Sequence, residues 1–288
     1  MLSMIGYSYF TFSNINWRSL PYGLSLISPP RITKDFTCDN AKTILSKSSA
    51  FYIRWESNFD KKEQSCWWHI IKEAKSGTDL YSYSSKTRNQ VRRGLKNFYC
   101  LIVPKEFIIN NCYPIYLSSY SRYRTFEPIM TTAEFKKPIS NLPSCTEFWI
   151  VHDKANDSLV GFSENYLEQN TCFYNSMWFD PNALKNYCSY SLIHEMNKHY
   201  LDQLNFDYVS DGARSLSHST NIHDFLVSKF NFRKSYAQLN VEYVYWLRLL
   251  IILIYPFRNL LKLLPSRLTF KLSILLQMEH LRRLSNLK

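Results

Sequence analysis

The sequence predicts an α+β fold, a mixed sheet flanked by helices, on three observations. Thr146 to Phe179 divides into three aromatic and β-branched runs joined by polar turns, the pattern of an antiparallel meander. Asn205 to Tyr243 reads as a short strand, a polar loop, a helix and a second strand. Ser84 to Val103 runs from a basic helix into an apolar strand. Strands joined partly by tight turns and partly by helices make a mixed sheet.

With 288 residues the chain has room for one large domain or two packed halves with a substantial core. Aromatics at 16% and only six glycines argue for a folded chain without low-complexity tracts. A net charge of +12 indicates an anionic partner: CoA phosphates, a nucleotide sugar, RNA or an anionic membrane surface, among which charge alone does not choose. Seven cysteines stand singly with no C-x-x-C pair, which fits reduced thiols and a cytoplasmic protein. The apolar run Met1 to Phe12 has no basic flank and no small-residue cleavage site, so no secretory signal is expected there. There is no P-loop and no dinucleotide glycine fingerprint. His194 and His199 are five residues apart, about 140° around a helix, so they predict no zinc site, and no metal is expected.

Taken in order, Ile5 to Phe12 and Ala50 to Trp55 read as strands, Pro29-Pro30 breaks the chain between them, and Asp39-Asn40 caps a short helix through Lys47. Cys66 to Ile71 is a further strand. Ser84 or Ser85 caps the next helix, where Val91 and Leu95 lie one turn apart and Arg88, Arg92 and Lys96 form a basic row, either a solvated face or an anion site. A strand from Tyr99 to Val103 and a helix near Ile115 to Tyr123 follow. After the meander, one helix is expected from Ala183 to Leu204, with Ile193, Met196, Tyr200 and Leu204 along one face. Gly212 frees the backbone after the next strand, Thr220 or Asn221 caps a helix carrying Asp224, and Asn231 stops it in the left-handed region.

The run Leu226-Val227-Ser228-Lys229-Phe230-Asn231-Phe232 resembles the closing helix of GNAT acyltransferases, with Val227 where many of them carry a tyrosine that protonates the departing thiolate, and Asn231 for a glycine. Lys86, Arg88, Val91-Arg92 and Lys96 resemble the basic helix of FemAB-like transferases, which pair two GNAT-type halves, the first degenerate, and build bacterial surface polymers. The order of three strands, helix, strand, helix, strand is the GNAT order. The resemblance implies a GNAT-like fold with a small degenerate N-terminal half over residues 1–85, an acyltransferase domain over 86–243 and a basic helical tail over 244–288. It further implies N-acyl transfer to an amine, on a small-molecule or lipid-linked precursor of surface polysaccharide or cell wall, from acyl-CoA or, alternatively, aminoacyl-tRNA. In GNAT enzymes the amides opening the central helix bind the CoA pyrophosphate. The equivalent stretch is Lys185 to Tyr190, which nominates Lys185 and Ser189 as anion-binding, beside Arg88 and Arg92.

Amide-forming acyl transfer needs a base for the ammonium proton and donors for the developing oxyanion. Asp211, just after a strand end, and Glu164, on the strand face of Phe162 and Tyr166, are the alternative bases, with His218 as proton shuttle and Arg214 and Ser215 as anion contacts on the same loop. Each could instead be a loop-stabilising polar residue. A second class of function is a non-catalytic GNAT-like module that holds tRNA through the Arg88 row. The tail from Val244 is apolar but is interrupted by Arg248 and ended by Pro256, too short for a bilayer span of ~20 residues. It reads either as an interfacial basic helix on an anionic membrane surface or as a hairpin covering the core or a partner.

Overall fold

The computed structural model describes residues 9–12, 15–20, 22–31, 33–121, 129–216, 221–261 and 267–286. The chain divides into two compact units: residues 1–69, 213–220 and 235–288 form the first, and 70–212 with 221–234 the second.

The first unit opens with β1 (Tyr9–Phe12), β2 (Ile15–Leu20) and β3 (Gly23–Leu26), then α1 (Cys38–Ser46) and β4 (Tyr52–Lys61). β1, β2 and β3 are antiparallel neighbours, and β3 runs parallel to β4, with Leu24 opposite Ile53. The α1 cap is Thr37, not Asp39 or Asn40: the Thr37 hydroxyl accepts from the Asn40 amide at 3.3 Å while the Asn40 side chain accepts from the Thr37 amide at 2.9 Å. Phe36 sets its ring edge-on to Trp17 and Trp55, each 5.3 Å away, and closes this core.

β5 (Trp67–Lys72) crosses the unit boundary. The second unit continues with α2 (Ser85–Asn97), β6 (Phe98–Val103), α3 (Lys105–Asn111), α4 (Tyr113–Tyr120) and α5 (Thr132–Ser140). Next come β7 (Thr146–Asp153), β8 (Leu159–Glu168), β9 (Thr171–Phe179), α6 (Pro181–Leu184), α7 (Cys188–Asn197), β10 (Tyr208–Ala213) and α8 (Ile222–Phe230). β6 to β9 are consecutive antiparallel neighbours, and β10 joins β9 in parallel, giving the mixed sheet the sequence predicts. Ser84, not Ser85, caps α2: its hydroxyl accepts from the Thr87 amide. The expected single helix from Ala183 to Leu204 is three pieces. Tyr187 sits in the left-handed region at φ 70°, separating α6 from α7, and residues 198–203 widen into a π turn. Two aromatic layers hold the helices to the sheet. Tyr116 of α4 packs edge-on to Trp178 and Phe135 of α5 to Phe162, while Tyr200, beyond α7, meets Tyr174 and Trp149.

The chain returns to the first unit in β11 (Arg233–Tyr243), antiparallel to β4 with Val241 opposite Arg54, followed by α9 (Tyr245–Ile254), α10 (Arg258–Leu261) and α11 (Arg267–Ser285). Leu247 and Ile251 of α9 join Tyr243, Leu276, Met278 and Leu281 in a second core of this unit. Among the described residues no helix is long and apolar enough to cross a membrane.

Candidate active site

The second unit contains an opening made by backbone geometry. β9 and β10 pair in parallel for three residues, Tyr208 with Thr171, Val209 with Cys172 and Ser210 with Phe173, and the ladder then stops although β9 runs on to Phe179 and β10 to Ala213. On its other side β9 carries an extra residue against β8: Glu164 is opposite Ser176 and Asn165 opposite Tyr174, which leaves Asn175 unmatched. Such a bulge bends its strand and increases the local twist. Asp211 is the first residue of β10 past the last rung.

Gly212 fixes what Asp211 can do. Its φ of +80° is left-handed, and a Cβ there would come within 2.6 Å of the Phe173 ring. Side chains alternate along a strand, so Asp211 leaves β10 on the face shared by Val209, Cys172 and Tyr174. There its Oδ2 lies 3.1 Å from Nε2 of His223, in the first turn of α8, and both side chains are less than a tenth exposed. Burial pushes the Asp211 carboxyl above its ordinary range, and the hydrogen bond and charge of His223 pull it back. This is a buried carboxylate–imidazole pair, able to hold one proton between two sites.

The predicted site residues are distributed unevenly. Asp211 pairs with His223, a residue not singled out from the sequence, and His218 and Thr220 lie outside the described residues. Glu164 is on the opposite face of the sheet from Asp211, the side of Phe162 and α5, where the side chain of Asn175 donates to it. Arg214 and Ser215 belong to the first unit. There the Arg214 guanidinium donates to the Cys66 carbonyl at 2.6 Å and lies over the Trp68 ring.

The corner between α6 and α7 carries two basic side chains, Lys185 and Arg93. Lys185 is exposed, with Nζ 3.5 Å from the Asn182 side-chain oxygen, and Ser189 is the second residue of α7. α2 reaches this corner through Gly94, where a Cβ would stand 2.6 Å from the Tyr187 carbonyl oxygen. The close approach puts the Arg93 guanidinium over the Tyr187 ring at 5.1 Å. Arg88 instead lies over Tyr81, and Arg92 is exposed. Arg93 is thus the α2 cation beside the α7 start, and the i, i+4 row passes over it. The signal that could have found it is its neighbour, a glycine inside a helix. Tyr190 is buried, edge-on to Phe225 of α8 at 5.0 Å and to Tyr187 at 5.5 Å. Val227 is exposed on α8.

A second polar cluster lies in the same unit. Lys72 is fully buried, its ammonium donates to the Gly77 carbonyl at 2.6 Å, and burial pushes its pKa down to about 8. The Tyr83 hydroxyl is 3.3 Å from Nδ1 of His194, which burial lowers to about 4. Thr78 donates to Asp202, and Tyr174 donates to Asn197 at 2.9 Å.

A meander, a parallel strand that parts from it, and helices before and after that strand make this the GNAT-type fold. FemX shares it over 80% of this chain and 86% of its own, at 8% identity and a TM-score of 0.54, so the fold is also FemAB-like. The chain is similar as well to L-PGS from Bacillus licheniformis, at 11% identity over 98% of this chain and 90% of that one (TM-score 0.49). A tandem GNAT protein from the clavulanic acid biosynthesis pathway aligns at 7% identity over 80% and 78% (TM-score 0.42). No protein-family model matches the chain, and no curated protein sequence does.

Proposed function

We propose that this protein transfers an acyl or aminoacyl group to an amine, with Asp211 and His223 as the proton-accepting pair. The observation that carries this reading is the position of the pair, one residue past the point where β9 and β10 separate, in a fold shared with FemX. An amine entering the opening arrives as an ammonium. Its proton passes to the imidazole or the carboxylate, and the freed lone pair attacks the acyl carbonyl. The tetrahedral intermediate then collapses with cleavage of the bond to the donor, a thioester C–S bond in acyl-CoA or an ester C–O bond in aminoacyl-tRNA, and the proton held by the pair can return to the leaving group. That return would supply the acid function for which α8 offers only Val227. The donor's phosphates are assigned to the α6–α7 corner, where Lys185, Ser189 and Arg93 flank a helix N-terminus. The acceptor class that fits a FemAB-like fold is an amine on a small or lipid-linked precursor of surface polysaccharide or cell wall, met on the cytoplasmic side.

Thermal-shift titration with acyl-CoAs and with charged and uncharged tRNA tests the donor: the true donor raises Tm, and Lys185→Glu removes the rise. If tRNA binds tightly with no turnover of any amine, the second reading holds, a non-catalytic module that uses the basic face of α2. The observation in its favour is that Arg88, Arg92 and Lys96 form a row there while Val227 replaces a titratable side chain.

A further inference from the structure

We infer that α9 and α10 form a surface that docks on a bilayer leaflet rich in anionic phospholipid. Among the described residues, eight of the seventeen exposed large hydrophobics fall between 245 and 260. α9 is anchored by one narrow stripe, Leu247 and Ile251, one turn apart and almost fully buried. Apart from Arg248, the rest of its circumference is still apolar: Trp246, Leu249, Leu250, Ile252 and Leu253 are all exposed, Leu253 by 70%, and Phe257 continues the patch beyond the helix end. A surface helix of a protein that meets only water carries polar residues on that side.

The charge around the patch identifies what covers it. Residues 244–288 hold eight of the chain's lysines and arginines against a single acid, Glu279. Glu279 is buried and already bonded to Arg282 and Arg283 at 2.8 and 2.7 Å, so it offers nothing to a partner. Arg248 is half exposed on α9 itself, 3.5 Å from the buried Glu242 just before the tail, and Arg258 folds its guanidinium over Tyr255 at 4.6 Å. An apolar face with Trp246 near one end, Phe257 near the other and cations among them matches a leaflet, with acyl chains below and phosphates at the rim. A second copy of the chain fits worse, because a two-fold contact would set this cationic rim against itself. The inference stands independently of acyl transfer, since every residue in it belongs to the first unit.

The test is co-sedimentation of the full chain with phosphatidylcholine vesicles and with vesicles rich in phosphatidylglycerol, beside analytical ultracentrifugation of the free protein. The expected result is pelleting with the anionic vesicles, weakened about tenfold or more by Ile252→Glu with Leu253→Glu and by high salt, and unchanged by Leu101→Glu, an exposed leucine of the second unit. Should the double glutamate variant fail to fold, Arg248→Gln with Arg258→Gln keeps the apolar face and should still lose several-fold affinity for anionic vesicles. No pelleting of the wild type, equal pelleting of all variants, or a dimer that the glutamate pair dissociates would each overturn the inference, the last by making the face a self-interface.

Discussion

Two buried ionisable groups in the second unit are partnered differently. Asp211 faces a histidine at 3.1 Å, so a proton can move between the partners. Lys72 donates to a backbone carbonyl oxygen, and the charges of Asp202 and Asp79 only partly offset the burial that pushes its pKa down to about 8. Burial is similar in the two places, and the partner decides the outcome. Burial moves both groups toward their neutral forms, but Asp211 has an imidazole within hydrogen-bond reach to share a proton, whereas Lys72 donates to a backbone carbonyl.

The strongest way to break this contrast is to remove the charge in each place and measure turnover. Asp211→Asn should lower turnover by ~10²- to 10⁴-fold with Tm and donor affinity little changed, and His223→Gln should cost a similar factor without adding to it, as expected of groups that act together. Lys72→Met should leave turnover within about threefold. Full activity in a folded Asp211→Asn protein would end the assignment of that pair and pass the role of base to Glu164, on the opposite face of the sheet.

A second measurement reads stability against pH. Because the Lys72 pKa in the folded protein, about 8, lies below the ordinary 10.5, the folded state binds this proton less tightly than the unfolded chain. The cost is fully present below about pH 8 and disappears as pH rises toward about 10.5. Wild-type stability should therefore gain ~3 kcal/mol relative to Lys72→Met between about pH 7 and about pH 11, from chemical denaturation at each pH. A flat difference would mean that Lys72 is solvated. Gly212→Ala sharpens the other half: a left-handed φ and the Phe173 ring together predict a loss of ~1–3 kcal/mol, with turnover falling as Asp211 is displaced. The smallest effect is expected from Tyr83→Phe. Loss of the hydroxyl that faces Thr78 and His194 should cost ~1 kcal/mol in stability and leave turnover unchanged.

The meander, the α2–β6 pair and the β10–α8–β11 unit were legible because each rests on local signals: alternation, a capping serine, an asparagine that tolerates φ 58°. What stayed hidden needs two distant stretches at once. The break at Tyr187 depends on a left-handed backbone at a residue that does not advertise one, held where Gly94 of another helix presses on its carbonyl. Asp211 was readable from its place after a strand and before a glycine. Its partner His223 was not, since finding it requires knowing which turn of α8 faces β10. The separation of Glu164 from Asp211 follows from the registers that set Asn165 opposite Tyr174 and Cys172 opposite Val209, and register across three strands is not written in the pattern of one sequence.

The order in which the chain visits its two units has a consequence for its synthesis. β4 finds its partner in β11, some 180 residues later, and the core around Leu247 and Ile251 waits for Leu276 and Leu281. During translation, therefore, the second unit can complete its sheet up to β10 while β4 still has an open edge and the first core lacks its C-terminal helices. The first unit then closes late, by long-range contacts that are slow to form, after the second has already folded. A ribosome stalled before residue 235 would carry a protected meander and an exposed β4, the segment a chaperone would find first.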